Sequence, residues 1–208
     1  MKNIQVVAFD CDGVMFDTEK ANKAFYNHIL NHFGYTDMTD TQFAYASMHT
    51  AEKVLAFLFE DEKAFAAAQT YRQSISYVPF IKYMELEPEL IPLLKRLRPK
   101  YKTAIATNRT DSIDHVLKQF ELAELFDMVV SALDVEHPKP HPEALIKILE
   151  RYGIAPDQAV YVGDSELDEM AARTAGVHMV AYGNRSLDAD FHIERLGELE
   201  AILQRAED

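Results

Sequence analysis

Val6-Val7-Ala8-Phe9-Asp10-Cys11-Asp12-Gly13-Val14-Met15-Phe16-Asp17 is the stretch around which the rest of the chain can be read. An apolar run stops abruptly at two aspartates one residue apart, and a glycine and more apolar residues follow. In a strand, side chains alternate between faces, so Asp10 and Asp12 project one way and Cys11 the other. Two carboxylates held side by side repel each other unless a cation or a shared proton lies between them. Gly13 lets the chain turn sharply or bring its backbone close to a ligand. Together these residues have the chemistry of the mouth of a metal-assisted site. Cys11, facing away, reads as a small packed residue.

The whole chain bounds what such a site can serve. Its 208 residues suit one globular domain, or a core with a modest insertion. Nearly half are hydrophobic, enough for a real core. Twenty-one basic against 34 acidic side chains leave a net charge of -13. That balance argues against nucleic acid and anionic membrane as partners, since both recruit Lys and Arg. A negatively charged small substrate would need a local basic group within this repelling field. A single cysteine excludes an internal disulfide and suits a reducing compartment. With neither a signal-peptide pattern nor a bilayer-length apolar segment, a soluble cytoplasmic protein is the expectation.

Outward from the opening stretch, the periodicity divides the chain in two. Ile4 to Phe9 reads as a strand buried on both faces. From Thr18 the period becomes helical: Ala21, Phe25, Ile29 and Phe33 form a stripe, with Gly34 as a stop. Further helical runs cover Thr50 to Phe59 and Asp61 to Tyr77, and residues 17–84 read as an all-helical bundle. Then strands and helices alternate. Pro88 opens a helix to Arg98, Lys102 to Ala106 is a strand, Asp111 to Phe120 a helix and Met128 to Ser131 a short strand. Pro142 opens a helix to Tyr152, stopped by Gly153. Ala159 to Val162 is a strand, followed by a helix to Ala175 closed by Gly176. A last strand near His178 to Ala181 precedes a polar stretch, Gly183 to Asp190, leading into a terminal helix. Repeated βα units imply a parallel sheet with right-handed crossovers. The expected architecture is an α/β, Rossmann-like core of residues 1–16 and 85–208, with a helical cap domain, 17–84, inserted after the first strand.

In an open parallel sheet, ligands bind beyond the carboxyl ends of the strands. Four such ends carry or lead into polar groups: Asp10 and Asp12; Thr107 and Asn108; the loop Asp134 to Lys139; and Asp164 through Asp168. In order and spacing, Asp10-x-Asp12-Gly13, Thr107-Asn108, Lys139 within Pro138-Lys139-Pro140, and Gly163-Asp164-x-x-x-Asp168 resemble the four signature motifs of the haloacid dehalogenase superfamily. The helical insertion, and the run Gly163 to Gly176 with Ala171-Ala172-Arg173, resemble its phosphoglycolate phosphatase and β-phosphoglucomutase branch.

The resemblance implies a Mg²⁺-dependent phosphatase acting on a small phosphorylated metabolite, as a monomer or homodimer. Asp10 is then the nucleophile, and Asp12 the acid and base that serves leaving group and water. Asp10 and Asp164 would ligate Mg²⁺ with the backbone carbonyl of Asp12, and Asp168 would orient a metal-bound water. Thr107 and Asn108 would contact phosphoryl oxygens, and Lys139 would supply positive charge to the reaction. In the insertion, Phe43 to Thr50 falls where relatives carry a specificity loop, and His49 is its candidate substrate contact. The sequence Ala46-Ser47-Met48-His49 offers no arginine or lysine there, which weakens the first alternative, a phosphosugar mutase. The second alternative, a non-catalytic module binding a phospho-ligand or a partner, has no need of both Asp10 and Asp12. A true dehalogenase has no need of Asp12. His137 and His141 flank Lys139, but Pro138 and Pro140 exclude the helix that would align them as metal ligands, so they read as loop residues.

Overall fold

The structure, a computed structural model, describes residues 3–46 and 49–205. The opening strand β1 (Val6–Phe9) is buried at all four positions, as expected of a strand covered on both faces. It is followed by the two-residue strand β2 (Phe16–Asp17) and four helices, α1 (Glu19–His32), α2 (Asp40–Ala46), α3 (Ala51–Leu58) and α4 (Glu62–Ser74). Short strand β3 (Glu85–Leu86) leads into α5 (Leu90–Leu97), β4 (Lys102–Ala106), α6 (Ser112–Gln119), β5 (Met128–Val130) and α7 (Glu143–Tyr152). The chain continues through β6 (Ala159–Gly163), α8 (Glu166–Ala175), β7 (His178–Tyr182), β8 (Phe191–Ile193) and α9 (Leu199–Arg205). Contacts divide it into two compact units, residues 1–17 with 86–208, and Thr18–Glu85.

The first unit is built on a six-stranded sheet of order β5-β4-β1-β6-β7-β8, parallel at every pairing. Strand β1 is central, and the chain order runs outward from it in both directions. The crevice at its carboxyl end is therefore the topological switch point, where ligands of such sheets bind. Val6 and Ala8 join one buried cluster with Ala144, Leu145 and Ile148 of α7 and Ala171 and Ala172 of α8. The small side chains of α8 let that helix approach the sheet closely. Helix α5 buries Leu90, Leu93, Leu94 and Leu97, an i, i+3, i+4, i+7 stripe; each leucine contributes roughly 1.5–3 kcal/mol through burial. Helices α7 and α8 stop at Gly153 and Gly176, whose φ angles of 63° and 73° lie in the left-handed region that glycine tolerates.

The second unit is helical among its described residues. Phe25, Tyr26, Ile29 and Leu30 of α1 pack with Val54, Leu55 and Leu58 of α3 and Ala68 of α4. Asp61 caps α4 by accepting the Lys63 and Ala64 amides. Among the described residues no helix is long and apolar enough to cross a membrane.

Besides the two-residue strands β2 and β3, several features differ from the sequence reading. Helix α2 (Asp40–Ala46) runs into the loop expected over Phe43 to Thr50; it buries none of its side chains, so it has no stripe to read. Strand β8 arises just beyond the polar stretch Gly183 to Asp190, paired to β7 along the sheet edge. Pro88 lies in a turn ahead of α5 rather than in its first helical turn. Of the candidate specificity loop, Ser47 and Met48 lie outside the described residues.

Candidate active site

Strand β1 ends where its neighbours still hold it: the Asp10 amide donates to the Val162 carbonyl of β6 at 2.8 Å. The chain then turns tightly, with the Gly13 amide donating to the Phe16 carbonyl and the Met15 amide to the Cys11 carbonyl. Gly13 is required twice over. Its φ of 82° is left-handed, and a Cβ there would lie 2.0 Å from Asp164 Oδ2. The turn that ends β1 is thus packed directly against the carboxylate that follows β6. Cys11 is fully buried, as its outward-facing position in the motif requires.

Lys139 reaches this point from the β5–α7 loop, 129 residues along the chain from Asp10. Its Nζ donates to Asp10 Oδ1 at 2.6 Å, to Asp168 Oδ1 at 2.6 Å and to the Tyr161 hydroxyl at 2.9 Å. All three donor positions of the nearly buried ammonium are therefore used. Asn108 aims the loop: its Nδ2 donates to the Lys139 carbonyl and its Oδ1 accepts the Lys139 amide, each at 2.9 Å. Thr107, at the end of β4, is buried and accepts the Arg109 amide on its Oγ1.

Asp164 and Asp168 come from the β6–α8 junction. Ser165 caps α8 and Asp168 closes a capping box with it, so a residue that meets Lys139 also caps the helix. Asp168 is completely buried. Its Oδ1 accepts from Lys139 and Tyr161, and its Oδ2 from the Asp164 amide and the Ser165 amide and hydroxyl. Gly163 gives Asp168 its room, because a Cβ there would fall 2.4 Å from the Asp168 Cβ. Asn184 steadies the junction by donating to the Asp164 carbonyl at 2.9 Å.

The charges are strongly interdependent. Burial, with the Asp168 and Asp12 charges adding to it and Lys139 opposing, raises Asp10 to about 8. Burial, reinforced by Asp168, raises Asp164 to about 7. Burial also works against ionised Asp168, but Lys139 and the hydrogen bonds from Lys139, Ser165 and Tyr161 win and hold it below the ordinary value. Lys139 loses by burial and gains more from Asp10 and Asp168, so it stays protonated. Asp10 and Asp164 are thus the two carboxylates that still lack sufficient positive charge. Asp10, Asp164 and Asp168 each place a carboxylate oxygen within 4.8 Å of the others, an all-oxygen donor set that fits a hard dication such as Mg²⁺.

Two participants were not singled out from sequence. Arg109 is buried, and its Nη2 donates to Asp12 Oδ1 at 2.6 Å. Tyr161 lies in the middle of β6, fully buried, with its hydroxyl 2.9 Å from the Ala106 carbonyl as well as against Lys139 and Asp168. A tyrosine inside an otherwise aliphatic buried strand was the available signal, since its hydroxyl must find a partner. His49 belongs to the other unit, where its ring stacks on Tyr45 at 3.8 Å and its Nδ1 donates to the Tyr45 carbonyl.

Comparison with known proteins gives this geometry its family. Residues 7–182 match the model of haloacid dehalogenase-like hydrolases. Pyrophosphatase PpaX of Bacillus velezensis is 31% identical over 95% of both chains, and that of Bacillus mycoides is 29% identical over 97% of this chain and 98% of its own. The crystal structure of a haloacid dehalogenase-superfamily hydrolase, subfamily IA, from Geobacter sulfurreducens is 36% identical, covers 97% of each chain and superposes with a TM-score of 0.86. The chain therefore belongs to the haloacid dehalogenase-like hydrolase family, and its activity is that of a phosphatase.

Proposed function

We propose that the protein is a Mg²⁺-dependent phosphatase that hydrolyses a small phosphorylated metabolite through a phosphoaspartate at Asp10. The observation that carries this reading is the buried contact of Asp10 with Lys139 beside Asp164, at the switch point of the sheet. Asp10 and Asp164, with the Asp12 backbone carbonyl, would hold the cation. Bound there, Mg²⁺ supplies charge that keeps both carboxylates ionised and offsets negative charge on the phosphoryl group.

Asp10 uses the carboxylate oxygen to attack phosphorus, and the bond to the leaving oxygen breaks as the new bond forms. Asp12 gives that oxygen a proton. Arg109 holds one of the Asp12 oxygens, so the proton travels on the other. Asp12, now a carboxylate, takes a proton from water as the water attacks phosphorus, which frees phosphate and restores Asp10. Lys139 stays protonated throughout and neutralises charge gathering on the phosphoryl oxygens. Thr107 contributes a hydroxyl contact to the same oxygens, and the Asn108 side chain fixes the Lys139 loop while its backbone N–H serves the phosphoryl oxygens. Asp168 acts through Lys139 and Ser165, since five donors already meet its oxygens.

Pyrophosphate is the first substrate to assay, because the Bacillus relatives are called pyrophosphatases. The test is phosphate release from pyrophosphate and a panel of sugar, glycolate and nucleoside monophosphates, with Mg²⁺ and with chelator, for the protein and for Asp10→Asn. Metal-dependent release, reduced at least about 10³-fold in the variant, is the expected result. Comparable turnover by the variant would overturn the assignment of Asp10.

A further inference from the structure

The outer side of the Lys139 loop carries a second cluster of donors. Pro138 and Pro140 exclude a helix here, yet the loop itself folds back: the His141 amide donates to the Pro138 carbonyl at 3.1 Å. That turn sets the His137 and His141 rings side by side, with centroids 4.8 Å apart and planes inclined by 39°. Glu143, the first residue of α7, closes the group. The amides of Glu136 and His137 hold its two carboxylate oxygens at 2.9 and 3.0 Å, so the carboxylate is already oriented. His137 Nδ1 lies 3.4 Å and His141 Nδ1 4.0 Å from Glu143 Oε2. One donor atom from each of the three residues falls within 4.8 Å of the others.

We propose that His137, His141 and Glu143 form a second metal site, for a borderline transition-metal dication such as Zn²⁺. Donors at Zn²⁺ bond lengths in a tetrahedron are ~3.3 Å apart, so the 3.4 Å pair already has the required spacing and the 4.0 Å pair needs a small ring rotation. Two imidazoles and a carboxylate select Zn²⁺, Co²⁺ or Ni²⁺ over Mg²⁺, which takes oxygen ligands. This set is thereby chemically distinct from the all-oxygen group around Asp10. Three protein ligands leave the fourth position to water, on a face where both histidines are exposed. Lys147 brings a positive charge close, with its Nζ 3.7 Å from the other Glu143 oxygen. Lys139, between the two histidines, turns its ammonium the other way, into the Asp10 and Asp168 carboxylates. An ion held here ties together the two ends of the segment that delivers Lys139.

The experiment uses the full chain in excess Mg²⁺, which occupies the oxygen site. It follows Zn²⁺ uptake by calorimetry and Co²⁺ uptake by visible absorption. The expected result is one equivalent bound, with a Co²⁺ band characteristic of nitrogen-containing four- or five-coordinate sites. The double variant His137→Ala, His141→Ala should bind at least about tenfold more weakly and lose the band, while Mg²⁺-supported phosphate release is unchanged. Glu143→Gln should weaken binding as well, although it also disturbs the loop, so the histidine variant decides. Equal affinity and spectra with and without the histidines, or no uptake by either protein, would overturn the proposal.

Discussion

Replacing Tyr161 with phenylalanine removes one oxygen atom from the centre of the site and leaves the ring in place. That hydroxyl accepts from Lys139 at 2.9 Å and donates to Asp168 at 2.8 Å or to the Ala106 carbonyl at 2.9 Å. The side chain is fully buried, so water cannot take over the lost contacts. Hydrogen bonds to charged groups contribute roughly 1.5–3 kcal/mol each. Lys139 keeps Asp10 and Asp168, and Asp168 keeps Lys139 and Ser165, so the lower end of that range applies to both bonds. The expected loss is about 3 kcal/mol, with little packing change because only one atom is deleted. Urea unfolding followed by far-ultraviolet circular dichroism reads this directly. With a slope of about 1–3 kcal/mol per molar urea, the midpoint should fall by roughly 1–3 M at unchanged slope. A midpoint within about 0.3 M of the parent, a loss of at most about 1 kcal/mol at that slope, would refute the view that Tyr161 anchors the buried charges.

Arg109→Gln should lower kcat/KM about tenfold more for an alkyl phosphate than for p-nitrophenyl phosphate, because a leaving group stable as an anion needs no proton from Asp12. Arg109→Lys should recover part of the loss, and an equal loss on both substrates would show that Arg109 does not act through Asp12. A second expectation concerns pH. In the metal-free protein Asp10 is raised to about 8 and Asp164 to about 7, so the folded state keeps protons that the unfolded chain releases near pH 4. That stabilisation is complete below about pH 4 and disappears as pH rises through 7 to 8. Metal-free protein should therefore melt higher at pH 6 than at pH 8.5 in calorimetry, and excess Mg²⁺ should narrow the gap; the reverse order of melting temperatures would contradict the charge balance described for the site.

What could be read from the sequence was local. Asp10, Asp12 and Gly13 follow a strand legible from four consecutive buried residues, and α5 and α7 repeat their leucines at helical spacing. The helix stops at Gly153 and Gly176 were legible because left-handed positions select glycine. Long-range geometry was not. Arg109 reads as one more polar residue at a strand end, and only the fold places it on Asp12, 97 residues away. His137 and His141 are loop residues, as they read, but the turn that sets their rings side by side could not be seen in the sequence, because the prolines there exclude a helix without naming the turn. Strand β8 escaped notice because three residues at a sheet edge have no period of their own, and α2 because nothing on it is buried. The family motifs made up much of this deficit, since they name residues that meet only after folding.

The central claim is that Asp10 carries the phosphoryl group during turnover. Protein quenched in acid while hydrolysing a substrate, reduced with borohydride and digested, reports on this by peptide mass spectrometry, because an aspartyl phosphate is reduced to homoserine. The account predicts homoserine at position 10 of the Val6–Asp17 segment, and no other carboxylate reduced. Reduction at a different residue, or none while phosphate is being released, would contradict it.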